Sequence, residues 1–361
     1  MSNIFNHALL LLARQYRGES QGAVAGRASL DQGHYSRIEN GLLPEGPSAE
    51  NVQKIADALD FPSAFFYLQD GLTGLPLSIH PMNRKKASVG VTPLKQIHAE
   101  LNIRLIHLRR YLRAAEIHPD LPLPEIDVDE GAGPQEIART LRRAWSVPEG
   151  PITNLTDLCE RAGILVIWCD LGKGIDGVTL KVRDLPPCIF LNRNVPPDRM
   201  RASLAHELGH VIMHRIPTDE IEDEANAFAA ELLVPERQFR RQFNARGGVT
   251  LEWLARQKAY WKVSMQFLLY RAGALGIVTR HQTEYVWKRI SSLGWRTREP
   301  QETDFAYEEP TAFPELLKLH DHTLGYDLHT IGNLVSSNAA DLQRLYRPYI
   351  GKGKAGLYAV K

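Results

Sequence analysis

The fold is decided by Ala202-Ser203-Leu204-Ala205-His206-Glu207-Leu208-Gly209-His210. On a helix, residues four apart share one face, so His206 and His210 can bind the same divalent metal ion. Glu207 lies about 100° around that helix, near enough to take a proton from water beside the metal. The alternative is a chance pattern on a solvated helix face. The apolar residues around the histidines oppose it: Leu204, Ala205, Leu208, Val211, Ile212 and Met213.

A catalytic zinc site needs a third protein ligand and one open position. His214 continues the row of histidines, but it lies about 12 Å along the axis from the first one, which leaves it a supporting or solvated role. The next predicted helix, 220–235, carries Glu222 beside its buried stripe, and small alanines let the two helices approach closely. We expect Glu222 as the third ligand, with Glu224 as second choice. The alternative for Glu222 is a capping box with Asp219 as N-cap.

The paired motifs resemble those of the ImmA/IrrE family of metallopeptidases. They are His206-Glu207-Leu208-Gly209-His210 and Glu222-x-Glu224-Ala225-Asn226, and the resemblance extends over about residues 133–300. It implies a zincin-like domain in which His206, His210 and Glu222 bind Zn²⁺ and Glu207 is the catalytic base. It also implies a protein substrate, a repressor or antitoxin that is cut once in a linker.

The composition is that of a globular cytoplasmic protein with two or three domains. The 361 residues are 43% hydrophobic and 24% charged, and the formal net charge is +1, so no global field indicates nucleic acid or a membrane as partner. We expect neither a signal peptide nor a membrane-spanning segment, because no apolar run reaches the required length. The cysteines form no C-x-x-C pair, which indicates core thiols in a reducing compartment: Cys159, Cys169 and Cys188.

Residues 1–70 are predicted to form five short helices. Within them, Ser20-Gln21 and Tyr35-Ser36-Arg37-Ile38-Glu39-Asn40-Gly41 are similar to the Cro/repressor-type (XRE) helix-turn-helix, whose third helix enters the major groove of DNA. This resemblance implies four groove-facing residues: Gln32, His34, Ser36 and Arg37.

The charge of this segment weakens the DNA-binding prediction. Residues 1–70 contain five basic and eight acidic residues, a net charge of −3. Because DNA binders gain affinity by neutralising phosphates, a protein-contact module is the alternative. Three glycines inside predicted helices each cost up to about 1 kcal/mol relative to alanine: Gly22, Gly26 and Gly33.

Residues 71–132 are predicted to contain a basic linker at 71–91 and a long helix that begins at Thr92-Pro93. Apolar residues recur every three or four positions in this helix, which predicts a packing seam within the chain or between the subunits of a homodimer. The bases between residues 84 and 113, in the linker and the helix, form either a solvated face or a source of phosphate contacts for the first domain. They are Arg84, Lys85, Lys86, Lys95, Arg104, Arg109, Arg110 and Arg113.

Residues 133–245 are predicted to be the peptidase domain. Runs at 164–169, 177–182 and 188–192 predict a small, mainly antiparallel sheet. Zincin-like sites place an edge strand beside the metal, where an extended peptide can add as a further strand. The expected fold class is therefore α+β and helix-dominated, with a helical C-terminal region.

Residues 246–300 have a second helix-turn-helix pattern, Val263-Ser264 followed by Leu275-Gly276-Ile277. We expect a three-helix packing unit here in preference to a DNA contact. Residues 301–361 form a weakly patterned tail. Its His320-Asp321-His322 has metal-ligand chemistry, but sparse exposed histidines usually bind no metal.

Together these features predict a DNA-binding transcriptional regulator fused to a zinc-dependent endopeptidase, with DNA and a protein substrate as partners. One alternative is a non-catalytic DNA-binding regulator with a zinc sensor or structural site. A structural site needs a fourth protein ligand, and the sequence offers none at a useful spacing. A partner-binding scaffold is a third possibility.

Overall fold

The computed structural model describes residues 4–74, 90–126, 128, 132–216, 218–243 and 249–350. These residues form two compact units. The first comprises the described residues of 1–75, 86–116 and 314–361, and the second those of 117–313. Within the described ranges, no helix is long and apolar enough to cross a membrane. Much of the predicted 71–91 linker, including its three bases, lies outside the described residues.

The first unit begins with four α-helices: α1 (His7–Arg17), α2 (Gln21–Arg27), α3 (Gln32–Glu39) and α4 (Ala49–Leu59). A 3₁₀ helix, Ser63–Tyr67, follows them. Polar side chains at the four N-caps accept hydrogen bonds from the first helical turns, which satisfies donors that have no partner within a helix. These caps are Asn6, Ser20, Asp31 and Ser48. The predicted series of five short helices is present, with a 3₁₀ helix as the fifth.

Helix α5 (Val91–Tyr111) is a core element of the first unit. Its N-cap is Gly90, so it begins slightly earlier than the Thr92-Pro93 signal indicates. The predicted solvated basic face is wrong for its second half. Arg104 is buried and donates to Glu100 at 2.8 Å, and Arg110 is buried and donates to Asp70 at 2.7 Å. The predicted seam packs against α1 inside the unit.

The second unit opens with α6 (Pro134–Ala144) and α7 (Leu155–Arg161), followed by a three-stranded sheet of β1 (Leu165–Cys169), β2 (Gly177–Leu180) and β3 (Cys188–Asn192). The central β3 pairs in parallel with β1 and antiparallel with β2. The sheet is therefore mixed, which corrects the expectation of a mainly antiparallel one. The reason is that the chain after β1 skips the neighbouring position in the sheet and forms β2 at the far edge. A short turn then places β3 between β1 and β2.

Two helices cross beside this sheet, α8 (Pro197–Met213) and α9 (Ile221–Leu233), and α10 (Glu236–Phe243) follows them. The crossing is close because the facing residues are small. A Cβ placed on Gly209 would lie 3.3 Å from Ala225 Cα and 3.1 Å from Phe228 Cδ1. Helix α8 also packs against β2. The fold class, α+β with helices dominant, is confirmed.

Three more helices complete the second unit: α11 (Leu251–Trp261), α12 (Met265–Ala274) and α13 (Arg280–Ser292). The predicted three-helix unit is thus present. A buried ion cluster ties it to the start of α8. Lys258 Nζ is fully buried and lies 2.7 Å from Asp198 Oδ2 and 3.0 Å from Glu299 Oε2.

The C-terminal residues fold into the first unit. They form α14 (Ala312–Lys318), which starts at the boundary of the units, a π-helical turn (Leu319–Thr323), α15 (Leu328–Val335) and α16 (Ala339–Ile350). Asp341 of α16 accepts hydrogen bonds from Tyr16 at 3.0 Å and Arg17 at 2.8 Å. The segment that the sequence described only as a weakly patterned tail therefore contains helices up to residue 350. His320 is buried against Tyr111, so it is not an exposed histidine.

Candidate metal centre

The two motif histidines and Glu222 come together where α8 crosses α9. His206 and His210 lie one turn apart on α8, and their Nε2 atoms are 3.0 Å apart. Glu222 stands in the first turn of α9, with Oε2 3.5 Å from His206 Nε2 and Oε1 3.4 Å from His210 Nε2. Among the described residues, these three form the one group of histidine, cysteine and carboxylate side chains that could hold a metal ion.

The outer nitrogen of His206 is held by a neighbour on α9. His206 Nδ1 lies 3.0 Å from Asn226 Oδ1. Since an amide oxygen only accepts, Nδ1 carries the proton in this hydrogen bond. That tautomer leaves the Nε2 lone pair of a neutral imidazole directed at His210 and Glu222, as metal binding requires.

The outer nitrogen of His210 begins a longer chain of hydrogen bonds. His210 Nδ1 lies 2.8 Å from His214 Nδ1, and His214 Nε2 lies 3.1 Å from Glu224 Oε2. Because the carboxylate accepts from Nε2, a neutral His214 accepts at Nδ1 and His210 donates to it. His210 Nε2 then also has a free lone pair toward the cluster. His214, 4% exposed, therefore has the supporting role that the sequence left open.

The donor chemistry of this centre fits a divalent cation. Two imidazole lone pairs and a carboxylate converge, and lone pairs that face each other at hydrogen-bond distance repel unless a cation or proton lies between them. Glu222 Oε1 is buried and has no hydrogen-bond partner among the described residues. Two histidines and one carboxylate form a common set of protein ligands for catalytic zinc, which keeps a fourth position open.

The electrostatics of the cluster show the same demand for positive charge. Burial lowers the pKa of His206, but the hydrogen bond with Glu222 and the charge of Glu207 outweigh burial, so the pKa is raised overall. Burial likewise opposes ionisation of Glu222, and its contacts with His206 and His210 lower its pKa to about 2. Both shifts show that this cluster favours positive charge beside Glu222.

Glu207 follows His206 on α8 and packs against Gly177 of β2. It is 3% exposed, and its Oε2 has no hydrogen-bond partner among the described residues. A Cβ placed on Gly177 would lie 2.8 Å from Glu207 Cγ and 3.3 Å from Oε1, so the absence of a side chain there makes room for this carboxylate. Thr179 Oγ1 donates to the Glu207 carbonyl at 3.0 Å and fixes the strand against the helix.

The structure brings together all three residues predicted as ligands, while their role as ligands stays a prediction. Glu224 is hydrogen-bonded to His214 and is not part of the cluster. This contact argues against Glu224 as the third ligand. The capping-box alternative for Glu222 is wrong because the N-cap of α9 is Glu220, without a side-chain cap. The contacts of Asn226 and Gly177 were not predicted from the sequence. The spacing of Asn226 four residues after Glu222, on one helix face, was an available signal for the first.

The four residues predicted to contact DNA lie on α3, but their side chains differ in solvent exposure. Gln32 and Arg37 are exposed. His34 is half-buried and hydrogen-bonded to Asn51 at 3.1 Å, and the Ser36 hydroxyl accepts from Asn40 at 3.2 Å. Their role in DNA binding stays a prediction.

The other four bases of residues 1–70 form ion pairs within the first unit. These pairs are Arg14–Glu39, Arg17–Asp341, Arg27–Glu19 and Lys54–Glu50. The phosphate contacts that a duplex requires are therefore scarce on this domain.

Two segments of the chain match the models of known protein families. Residues 159–272 match the family model of a peptidase, described as the IrrE N-terminal-like domain, and residues 11–66 match that described as helix-turn-helix. These matches confirm the resemblances to the ImmA/IrrE family and to XRE-type domains. The chain thus joins a helix-turn-helix domain to an IrrE-like peptidase domain. No curated protein and no solved structure is significantly similar to the chain.

Proposed function

We propose that the chain is a zinc-dependent endopeptidase that its helix-turn-helix domain directs to DNA. The observation that carries the proposal is the convergence of His206 Nε2, His210 Nε2 and the Glu222 carboxylate within 4.8 Å of one another. Their outer nitrogens are occupied by Asn226 and His214, so the free lone pairs all face inward. Such a group binds a cation, and its chemistry suits zinc.

Zinc bound here would supply Lewis acidity, which polarises a peptide carbonyl and acidifies water. The residues of the chain perform the proton transfers. Glu207 is the general base: its buried Oε2 accepts a proton from the attacking water and then returns it to the leaving amine. Its low exposure keeps bulk water from competing for that proton. Gly177 and Thr179 position it, because one leaves room for the side chain and the other holds the backbone.

An extended peptide would add along β2. Among the described residues, β2 pairs with β3 alone, so its outer edge remains available for backbone hydrogen bonds. This strand contacts the helix that carries Glu207, which brings a bound peptide near the metal centre. We propose a repressor or antitoxin as the substrate, cut once in a linker, because the helix-turn-helix domain places the enzyme among DNA-bound regulators.

A structural or sensor site is the competing function, and the ligand count opposes it. A closed structural zinc needs four protein ligands. The cluster has three among the described residues, and Glu224, the next carboxylate on the ligand side of α9, is engaged by His214. This argument favours an open position and hence catalysis.

The test compares cleavage by the wild type with that by Glu207→Gln and Glu220→Gln. The substrate is the repressor or antitoxin encoded beside this gene, incubated with each zinc-loaded protein. We expect Glu207→Gln to retain zinc and lose about 10²–10⁴-fold in cleavage rate, the usual contribution of a general base. Glu220, an exposed glutamate at the N-cap of α9, is the matched control and should leave the rate unchanged.

Two outcomes count against the proposal in different ways. Proteolysis at the wild-type rate in Glu207→Gln removes that residue from the mechanism. A wild type that holds zinc but leaves every such partner intact supports the non-catalytic regulator instead.

A further inference from the structure

The face of α8 that carries the two motif histidines continues to the start of the helix. Residues three, four and seven apart share one face of a helix, so Arg199 and Ser203 lie in line with His206 and His210. Arg199 is exposed and Ser203 is half-buried. The seven residues from Arg199 to His206 span about 10 Å along the helix axis. A molecule that extends from the metal centre along this face therefore meets a guanidinium group.

Strand β2 follows α8 in the same direction, and side-chain contacts fix the alignment of the two elements. Just before β2 begins, Asp176 Oδ2 accepts a hydrogen bond from Arg199 Nε at 2.5 Å. Just after it ends, Lys181 Nζ donates to the Val211 carbonyl at 3.0 Å. The contact of β2 with the Glu207 carbonyl lies between these two. A peptide along the outer edge of β2 would therefore have Arg199 near one end and Lys181 near the other.

Asp176 holds the Arg199 side chain without using its full hydrogen-bonding capacity. The carboxylate accepts from Nε, and among the described residues neither Nη1 nor Nη2 has a hydrogen-bond partner. The side chain of Arg199 is 53% exposed. A guanidinium group presents its N–H groups as a planar fork that fits a carboxylate. Arg199 is therefore held in one orientation while part of its fork is available to a second carboxylate.

The cation at the other end of β2 is more fully engaged. Lys181 Nζ donates to Glu125 Oε1 at 2.9 Å as well as to the Val211 carbonyl. Two of the three N–H groups of this ammonium are thus occupied, and the side chain is 30% exposed. Of the two cations that flank β2, Arg199 is the one suited to bind a ligand.

We propose that Arg199 binds an acidic side chain of the peptide substrate, about three residues from the scissile bond. An extended chain advances about 3.3 Å per residue, so about three residues cover the distance from the metal centre to Arg199. Ser203 lies between them, and its small side chain leaves this face of α8 clear. The inference rests on the proposed peptidase function and specifies its substrate class as a linker that contains Asp or Glu at this position.

The direction of the peptide decides on which side of the cut the acidic residue lies. Antiparallel pairing is slightly more stable per residue than parallel pairing. Because β2 runs from the Arg199 end toward the Lys181 end, an antiparallel peptide runs toward Arg199. The acidic residue is therefore C-terminal to the scissile bond.

The experiment uses the zinc-loaded full chain and libraries of decapeptides of mixed sequence. Each library has Glu, Gln or Lys fixed at one position, and mass spectrometry locates the cut relative to that position. The proteins are the wild type, Arg199→Gln, Arg199→Glu and the matched control Arg143→Gln. Arg143 is an arginine of the same unit that is 65% exposed and pairs with Glu136 at 3.1 Å. Zinc content and circular dichroism verify that every variant is folded.

The wild type should cut peptides with Glu about three residues after the scissile bond about fivefold faster than those with Gln, the discrimination that a partly exposed ion pair supports. Arg199→Gln should lose this preference, Arg199→Glu should prefer Lys, and the control should behave as the wild type. Added salt should weaken the preference, because the contact is partly exposed.

Three results overturn the proposal. One is equal slowing of the Glu and Gln peptides in Arg199→Gln, which would mean that Arg199 only joins α8 to β2. The second is a wild type without preference for Glu at any position, and the third is a Glu preference that survives in Arg199→Gln. A Glu preference on the N-terminal side of the cut that depends on Arg199 supports the contact and assigns a parallel peptide.

A binding measurement separates this inference from the peptidase function. Zinc-loaded Glu207→Gln and Glu207→Gln/Arg199→Gln are equilibrated with the same libraries, and the retained peptides are identified by mass spectrometry. Enrichment of Glu by the first protein and not by the second supports the Arg199 contact even if the wild type cuts no peptide. Such a failure to cut counts against the peptidase proposal alone, whereas absence of enrichment in both proteins overturns the Arg199 contact.

Discussion

Helix α8 carries two buried ionic clusters, and they differ in where the positive charge comes from. At its start, Asp198 meets the ammonium group of Lys258, which also lies 3.0 Å from Glu299 and 3.5 Å from Asp304. In its second half, His206 and His210 meet Glu222 with imidazole lone pairs and a carboxylate only. The first cluster includes its own cation, and the second consists of acceptors.

The comparison shows how to distinguish a structural ion cluster from a binding site. A buried charge is costly unless it is paired. Burial opposes ionisation of Lys258, but its contacts with Asp198 and Glu299 raise its pKa overall, so the cluster is complete without a ligand. At the second cluster, oxygen atoms of Glu207 and Glu222 remain without hydrogen-bond partners among the described residues. We therefore propose that this cluster takes its cation from solution.

The largest effect should follow from removal of the internal cation. Lys258→Met leaves buried carboxylates uncompensated, which costs about 3–5 kcal/mol. At roughly 2–4 °C per kcal/mol for a unit of this size, the midpoint of thermal unfolding should fall by roughly 10 °C. Tryptophan fluorescence reports this unit selectively, because all six tryptophans lie between residues 145 and 295.

The matched control is Lys288→Met, which removes an exposed lysine of the same unit. Its midpoint should stay near that of the wild type, and added zinc should not rescue Lys258→Met. If the two variants melt together, the Lys258 cluster contributes little to stability and the contrast between the clusters fails.

A smaller effect should follow from a change behind the metal centre. His214→Phe removes the acceptor for His210 Nδ1 and the partner of Glu224. Loss of such an outer hydrogen bond typically weakens metal binding about 10–100-fold. Competition with a chelator measures the zinc Kd, and Glu224→Gln should give an intermediate value. A wild-type Kd in His214→Phe would show that His214 only fills space.

The smallest effect should follow from a substitution in β2. Gly177→Ala places a methyl group 2.8 Å from Glu207 Cγ, so the general base must shift. We expect kcat to fall about tenfold, within the effect known for small displacements of reacting groups, with zinc content and KM little changed. Gly273→Ala is the control, because its added methyl group would meet Thr283 at an ordinary 3.6 Å. A kcat equal to that of the control would separate Gly177 from catalysis.

The sequence predicted those parts of the fold and site that depend on local periodicity. The spacing of His206 and His210 predicted α8 and a shared face, and the following acidic and alanine-rich segment predicted α9 and Glu222. The Thr92-Pro93 signal predicted the start of the long helix, and α5 begins one residue before it, at Val91. Each of these inferences relates residues within a few turns of one another, where helix geometry alone fixes the neighbours.

The remainder depends on contacts between residues far apart in the chain. No local pattern indicates that Lys258 meets Asp198, 60 residues earlier, or that Gly177 makes room for Glu207. The basic residues of α5 resembled a solvated face because the partner of Arg110 is Asp70, 40 residues away. The sequence did not predict α15 and α16, because their apolar stripes are short. The stripes are recognised only once these helices are seen to pack within the first unit.

The most direct test of the account is the zinc content of the purified chain and its variants after exhaustive dialysis. The wild type should hold about one zinc ion per chain, as a site with two histidines and one glutamate does. His206→Ala, His210→Ala and Glu222→Ala should hold almost none, whereas Glu207→Gln should match the wild type and Glu224→Ala, which loses only the contact behind His214, should keep most of its zinc. If Glu222→Ala keeps its zinc while Glu224→Ala loses it, the proposed metal centre is wrong.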